Sequence, residues 1–123
     1  MSAATTTTSF DLDALIDAIQ TRDAAGQLAL YAPDAEVHNV DQTGGPSSPR
    51  ILRGHTDLEP ELRDVCARDM THAVTQAFVT GDRLAYEVTC AYPDGTRVLC
   101  QAIAALRDGQ IVTQRGITVW DAR

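Results

Sequence analysis

Hydrophobic side chains recur at helical spacing near the start of the chain. Leu12, Leu15, Ile16 and Ile19 are separated by three and four residues, which predicts an amphipathic helix with one apolar face. Ser9 is the expected N-cap, because a serine hydroxyl accepts a hydrogen bond from an amide of the first helical turn. The folded part of the chain is therefore expected to begin with a helix that packs through one side.

A second, shorter helix is indicated by a capping residue and a proline. It is predicted to begin after Asp23, to carry Ala24, Leu28 and Tyr31 on one stripe, and to end at Pro33. Proline has no backbone N–H and restricts the residue before it, so the helix is expected to stop there.

A third helix is predicted to start near Thr56. Thr56 and Glu59 have the spacing of a capping box, in which each side chain bonds an amide near the other. Leu62 and Val65 continue the apolar stripe. Pro60 falls near the first turn, where proline is tolerated.

Alternation of apolar and polar residues replaces helical spacing elsewhere. Residues 35–41, AEVHNVD, are the first predicted strand, and residues 42–49 are a Gly-, Pro- and Ser-rich loop expected at the rim of a pocket. After the third helix come four strand-like runs joined by hairpin signals such as Asp108-Gly109. These runs are 70–80, 83–92, 96–107 and 110–120. Helices followed by an antiparallel meander indicate an α+β fold.

Charge and composition narrow the classes of function. The 123 residues contain ten Lys and Arg against seventeen Asp and Glu, and this net charge of −7 argues against a nucleic-acid partner. No apolar run approaches the ~20 residues of a membrane-spanning helix, so no membrane partner is expected. The start, MSAATTTTS, lacks the features of a secretory signal, which predicts a cytoplasmic location. Residues 1–8 are expected to be a disordered tail and residues 9–123 a single domain.

The cysteines and histidines do not have the spacing of a metal site. Cys66, Cys90 and Cys100 are an odd number without a C-x-x-C pair, so reduced thiols are expected. The three histidines lie on different predicted elements and lack H-x-H or H-x-x-x-H spacing. We therefore expect neither a metal nor a cofactor.

Three segments carry a resemblance to a known family: DAAGQLALYAPDAEVHN at 23–39, ILRGHTDL at 51–58 and RDGQIVTQ at 107–114. Together they resemble the SnoaL-like branch of the nuclear transport factor 2-like superfamily, and the resemblance extends from residue 10 to residue 120. It implies a cone-shaped α+β barrel, in which a curved, mainly antiparallel sheet wraps around helices and encloses a cavity. It also implies a homodimer packed through the outer face of the sheet.

The resemblance does not carry over the catalytic residues of the family's enzymes. Members include isomerases, dehydratases, epoxide hydrolases, polyketide cyclases and non-catalytic binding proteins, so the fold alone leaves the function open. The general-base aspartate of ketosteroid isomerase falls on Asn39, its oxyanion-hole tyrosine on Leu15 and its protonated aspartate near Ala102. The acid/base aspartate of the cyclases falls within residues 116–119, where this chain has no carboxylate. Steroid-isomerase chemistry is therefore not expected.

The same alignment and strand parity predict which residues face the cavity. The set is mostly apolar with a few polar groups, as in small-molecule sites. The predicted cavity-facing residues are Val37, Asn39, Asp41, His72, Tyr86, Val88, Cys90, Cys100, Ala102, Gln114, Gly116, Thr118 and Trp120.

Asp41 and His72 are the candidate catalytic residues. If Asp41 is partly desolvated, its pKa would rise towards the range of a general base; the alternative is a solvated residue that caps the Gly-rich loop. His72 is either an acid/base partner or a buried neutral histidine bonded to a backbone group. The most specific catalytic hypothesis is a pair of these two residues facing each other across the cavity.

The other polar or aromatic cavity residues are predicted to bind ligand. Cys90 and Cys100 would lie directly opposite each other if the connection between their strands has three residues, and packing is the favoured interpretation of both thiols. A nucleophilic thiol would need an activating base, and His72 is the one inward candidate. The predicted ligand-binding residues are Asn39, Tyr86, Cys90, Gln114, Thr118 and Trp120.

These observations predict a protein that binds a small, largely apolar organic molecule in the cone cavity. It would act either as a cofactor-independent acid/base enzyme of isomerase, cyclase or hydrolase type, or as a carrier. The alternative is a non-catalytic, dimeric interaction protein in which the pocket is vestigial.

Overall fold

A computed structural model describes residues 9–122, which form three helices and one six-stranded sheet. The predicted disordered tail, residues 1–8, lies outside the described residues. The elements are α1 (Leu12–Gln20), α2 (Ala24–Leu28), β1 (Tyr31–Val40), β2 (Arg50–Arg53), α3 (Gly54–Ala67), β3 (Thr71–Thr80), β4 (Arg83–Ala91), β5 (Arg97–Arg107) and β6 (Gln110–Trp120).

The sheet has the strand order β2-β1-β6-β5-β4-β3. β1 and β6 run parallel, and all other neighbouring strands are antiparallel. Strands β3 to β6 are the predicted meander, while α1 packs against β3 and α3 packs against β1. The predicted α+β cone is confirmed as a curved sheet that stays open between its edge strands β2 and β3.

Tight turns set the limits of the meander strands. Gly81, Gly95 and Gly109 have φ values of 58°, 91° and 77°, and Asp108 has φ 52°. Glycine reaches positive φ without steric cost, and aspartate tolerates it better than most residues. The strand boundaries predicted from these turn signals agree with the observed ones to within one residue.

The predicted starts of α1 and α3 are wrong in detail. Asp11 rather than Ser9 caps α1, because its carboxylate accepts a hydrogen bond of 3.0 Å from the Ala14 amide. Helix α3 begins at Gly54 rather than near Thr56, so Pro60 lies in its second turn. At the N-terminus of α3, the carboxylate of Asp57 accepts a hydrogen bond of 2.8 Å from the Arg53 amide.

The predicted extent of the second helix is also wrong. Helix α2 begins after its Asp23 cap as predicted but ends at Leu28, and Tyr31 is the first residue of β1. Pro33 lies inside β1, in a stretch where the register between β1 and β6 shifts. Proline is tolerated in a strand where no ladder hydrogen bond is required of it. Tyr31 itself is buried in the core.

The core lies between the helices and the concave face of the sheet. Leu15 and Ile19 of α1 and Leu58 of α3 are buried against sheet residues that include Leu84 and Ile111. Within residues 9–122, no helix is long and apolar enough to cross a membrane.

Candidate functional site: a cavity inside the cone

A cavity of about 470 Å³ lies between the sheet and the helices. Its helical side is mostly apolar and includes Ile19, Leu58, Leu62 and Val65. All thirteen residues predicted to face the cavity from the strands line it. Strand parity was sufficient for this result because each strand keeps one face towards the helices.

Two tyrosines and a glutamine form a polar cluster in the cavity wall. The hydroxyl groups of Tyr31 and Tyr86 each donate a hydrogen bond of 3.3 Å to Oε1 of Gln114. Burial raises the pKa of both phenols, that of Tyr86 well above its usual value, so both stay protonated donors at neutral pH. Tyr31 was missed by sequence reasoning, because Pro33 was interpreted as a helix exit and no parity rule crosses the register shift.

His72 presents an unpaired nitrogen to the buried interior. Nδ1 of its ring lies 3.8 Å from Sγ of Cys90. Nε2 is buried without a hydrogen-bond partner among residues 9–122, and no other side-chain nitrogen or oxygen there shares this state. Burial, with a smaller contribution from the Arg22 guanidinium, lowers the pKa of His72, so the ring is neutral at pH 7. His72 is half-buried, and the backbone hydrogen bond predicted for a buried neutral histidine is absent among residues 9–122.

Asp41 caps the loop at the cavity rim. Its Oδ1 accepts hydrogen bonds from the Thr43 hydroxyl at 2.7 Å, the Thr43 amide at 2.8 Å and the Gly44 amide at 3.0 Å. The bond from the Thr43 hydroxyl is the main cause of a lowered pKa of Asp41. Asp41 is thus the loop-capping residue of the predicted alternative, its pKa is not raised by desolvation, and its carboxylate is hydrogen-bonded to its own loop rather than to His72.

Cys90 and Cys100 are diagonal rather than direct neighbours. Cys90 pairs with Val98 and Cys100 with Val88, because the turn between the strands is centred on residue 94, whereas direct opposition of the two cysteines would need a turn centred on residue 95. Both thiols still share the cavity face. A hydrogen bond between them lowers the pKa of Cys100 to about 7 and raises that of Cys90. Thr118 adds a second donor, its Oγ1 lying 3.6 Å from Sγ of Cys100.

Small residues in the sheet leave room for the cavity. Gly116 pairs with Asn39 on β1 and with Ala102 on β5. A Cβ atom at position 116 would lie 2.8 Å from Oδ1 of Asn39, so the Asn39 side chain lies over the glycine. Trp120, at the end of β6, is half-buried against the core and also lines the cavity.

Charged side chains lie at the cavity rim, and sequence reasoning missed them. Arg50 donates two hydrogen bonds to the carboxylate of Glu61, at 3.0 and 2.8 Å, which joins β2 to α3. Arg68 pairs with Asp64 at 2.7 Å. Strand β2 has four residues, too few for an alternation pattern, so nothing in the sequence placed Arg50 at this rim.

The family of this chain follows from a comparison with known sequences. Residues 12–114 match the model of the SnoaL-like domain, and the chain belongs to that family. No curated protein matches the sequence.

Solved structures share the fold at low sequence identity. A nuclear transport factor 2-like protein of unknown function from Mesorhizobium loti has 20% identity and a TM-score of 0.74, over 87% of this chain and 86% of that one. A proposed ketosteroid isomerase from Kribbella flavida has 19% identity and a TM-score of 0.69, over 90% and 75%. IdmH, a proposed polyketide cyclase from Streptomyces antibioticus, has 24% identity and a TM-score of 0.63, over 87% and 88%.

Proposed function

We propose that this protein binds a small, largely apolar organic molecule inside the cone. The observation that carries the proposal is the cavity of about 470 Å³, mostly apolar, with a few polar groups directed into it. Such a volume and lining are typical of small-molecule sites. Membership of the SnoaL-like family, with structural neighbours proposed to be an isomerase and a cyclase, supports the same conclusion.

The polar groups define two contact points for the ligand. Gln114, whose Oε1 accepts from Tyr31 and Tyr86, offers its side-chain NH2 group as a donor, and His72 offers its ring nitrogen Nε2. His72 pairs with Cys90, four residues along β4 from Tyr86, which corresponds to roughly 13 Å of strand. An elongated apolar molecule with an oxygen near one end and a donor group near the other fits this arrangement.

If the protein is an enzyme, we propose His72 as its base. A neutral imidazole with a free nitrogen accepts a proton, whereas Asp41 has a lowered pKa and an Oδ1 bonded to its own loop. No cofactor is needed for such a step. A carrier would use the same two contact points without turnover.

A thermal-shift screen tests the binding proposal. The wild type is heated with steroids, terpenoid epoxides, aromatic polyketides and fatty acids, and we expect a reproducible rise in Tm for one class. Gln114→Leu removes the acceptor of both phenols and should reduce that rise. Gln76→Leu, the same change at an exposed position of β3, should leave it unchanged. A ligand response that is equal in both variants would count against the cavity.

We also propose a homodimer formed through the outer face of the sheet, as the family resemblance implies. Large aliphatic side chains are exposed there on two neighbouring strands: Leu99, Ile103, Ile117 and Val119. A contiguous apolar patch of this kind is typical of an interaction surface. Arg115, opposite Ile103 in the ladder, is exposed beside this patch.

A further inference from the structure

Four side chains touch in sequence across four adjacent strands of the cavity wall. Thr118 of β6 contacts Cys100 of β5 at 3.6 Å, Cys100 is hydrogen-bonded to Cys90 of β4, and Cys90 contacts His72 of β3 at 3.8 Å. We refer to Thr118, Cys100, Cys90 and His72 as the thiol row. All four line the cavity.

The thiol row allows two orders of its protons, and one of them activates Cys100. In that order Thr118 donates its hydroxyl proton, and Cys90 its thiol proton, to Sγ of Cys100. The sulfur of Cys90 then accepts from Nδ1–H of His72, which leaves Nε2 as the unprotonated, unpaired nitrogen. Cys100 thus receives two hydrogen bonds, and bonds to the charged form of a group stabilise that form.

The surroundings of Cys100 leave space for a reacting molecule. Ala102 and Gly116, the next cavity-facing residues on β5 and β6, are small. Tyr86 pairs with Ala102 and is therefore a diagonal neighbour of Cys100, with a protonated hydroxyl group. A carbonyl-bearing molecule near Cys100 would have the hydrogen-bonded pair of Tyr86 and Gln114 on one side and an apolar wall on the other.

We propose that Cys100 is a nucleophilic site for a small, uncharged conjugated carbonyl compound held in the cavity. This inference rests on the proposed ligand-binding function and names the class of ligand. The thiol loses its proton to water, and the thiolate sulfur forms a bond to the β-carbon of the C=C bond. The π electrons move to the carbonyl oxygen, and the resulting enolate takes a proton from water at its α-carbon. The net change is addition of S–H across C=C, without an oxidant or a reductant.

Alkylation by cyclohex-2-enone tests the site, with each cysteine followed by peptide mass mapping. At pH 7 a thiol of pKa about 7 is half ionised, against roughly 3% for an ordinary cysteine, and its lower nucleophilicity reduces that advantage to about threefold. We expect Cys100 to react faster than Cys90 and Cys66, with a rate that saturates in enone and a pH midpoint near 7. Selectivity should disappear in urea, where all three thiols are alike.

Variants of β6 test whether the hydrogen bond from Thr118, and not only the accessibility of the thiol, makes Cys100 reactive. Thr118→Val keeps the shape of the side chain and removes a donor to Cys100, so the pH midpoint should rise by about one unit. Thr113→Val, the same change on an exposed position of β6, should leave it unaltered. Reaction of Cys100 no faster than Cys66, or an unchanged midpoint in Thr118→Val, would overturn the proposal.

Competition by cyclohexanone, which lacks the C=C bond, distinguishes ligand binding in the cavity from nucleophilic reaction at Cys100. Slower alkylation of Cys100 in its presence supports both binding in the cavity and the nucleophilic site. Fast, selective alkylation without competition supports the thiol site and contradicts the apolar-ligand function. Thermal stabilisation by the unreactive ketone together with an inert Cys100 overturns the thiol site alone.

Discussion

His72 shows how one side chain relates stability to function. Its Nε2 is buried without a partner, and leaving a buried polar atom unpaired costs roughly 1–3 kcal/mol. Such a cost is retained in a fold where the atom serves a ligand. The buried, unpaired nitrogen therefore indicates a functional role for His72. The sequence alone does not, because there His72 is one of three scattered histidines.

Replacement of His72 by leucine should stabilise the protein and weaken ligand binding. Because the unpaired nitrogen is removed, we expect the free energy of unfolding from urea titration at pH 7 to rise by about 1 kcal/mol. His38→Leu is the matched control, since its ring is bonded to Glu36 at 2.7 Å on the other face of β1. A loss of stability in His72→Leu larger than in His38→Leu would contradict this account of Nε2.

Asp41 should contribute stability in a pH-dependent way. Its folded-state pKa is lowered, so the contribution is present above the unfolded-state value of 3.8 and is lost as the pH falls through the folded-state pKa. Asp41→Asn should therefore lower Tm at pH 7, and the difference in Tm from the wild type should shrink as the pH falls below 3.8. A difference in Tm that grows on acidification would contradict the loop-capping role.

At the level of helices and strands, periodicity located most of the architecture. The meander and its cavity face were predictable because the strands are long and one side of each packs on the helices. Features that depend on local irregularity were not: Tyr31 lies at a register shift, and the Cys90–Cys100 offset depends on the position of one turn. The sequence therefore predicted Cys90, Cys100 and Gln114 on the cavity face, but it did not predict Tyr31 there or the offset between the two thiols.

Helix α3 offers a test of local capping. Asp57→Ala removes the acceptor of the Arg53 amide and should cost about 1 kcal/mol in the free energy of unfolding. Thr56→Ala should cost less, because no hydrogen bond of its side chain is seen in the described part of the chain. Urea denaturation of both variants checks the order, and a larger cost for Thr56→Ala would restore the capping box that was predicted from the sequence.

For the molecule as a whole, the two faces of the sheet have separate proposed tasks. The concave face encloses the cavity, and the convex face carries exposed Ile103 and Ile117. Because side chains alternate along a strand, changes on one face leave the other intact. Association and ligand binding can therefore be tested independently.

Ile103→Glu should produce a monomer that still binds ligand. Ile103 is 67% exposed, and a charge at the centre of an apolar interface opposes association of two copies. Light scattering coupled to size-exclusion chromatography should give twice the chain mass of 13.2 kDa for the wild type and once for the variant. A wild type that elutes as a monomer at roughly 100 μM would contradict the dimer proposal.

Fluorescence of Trp120 is the most direct test of ligand binding inside the cone. It is the single tryptophan of the chain and lines the cavity, so its emission reports whether the cavity is occupied. With a ligand class that raises Tm, we expect a saturable change in Trp120 emission. This change should be lost in Ala102→Phe, where the added ring fills the cavity. Emission that does not change on titration, or changes equally in Ala102→Phe, would contradict ligand binding inside the cone.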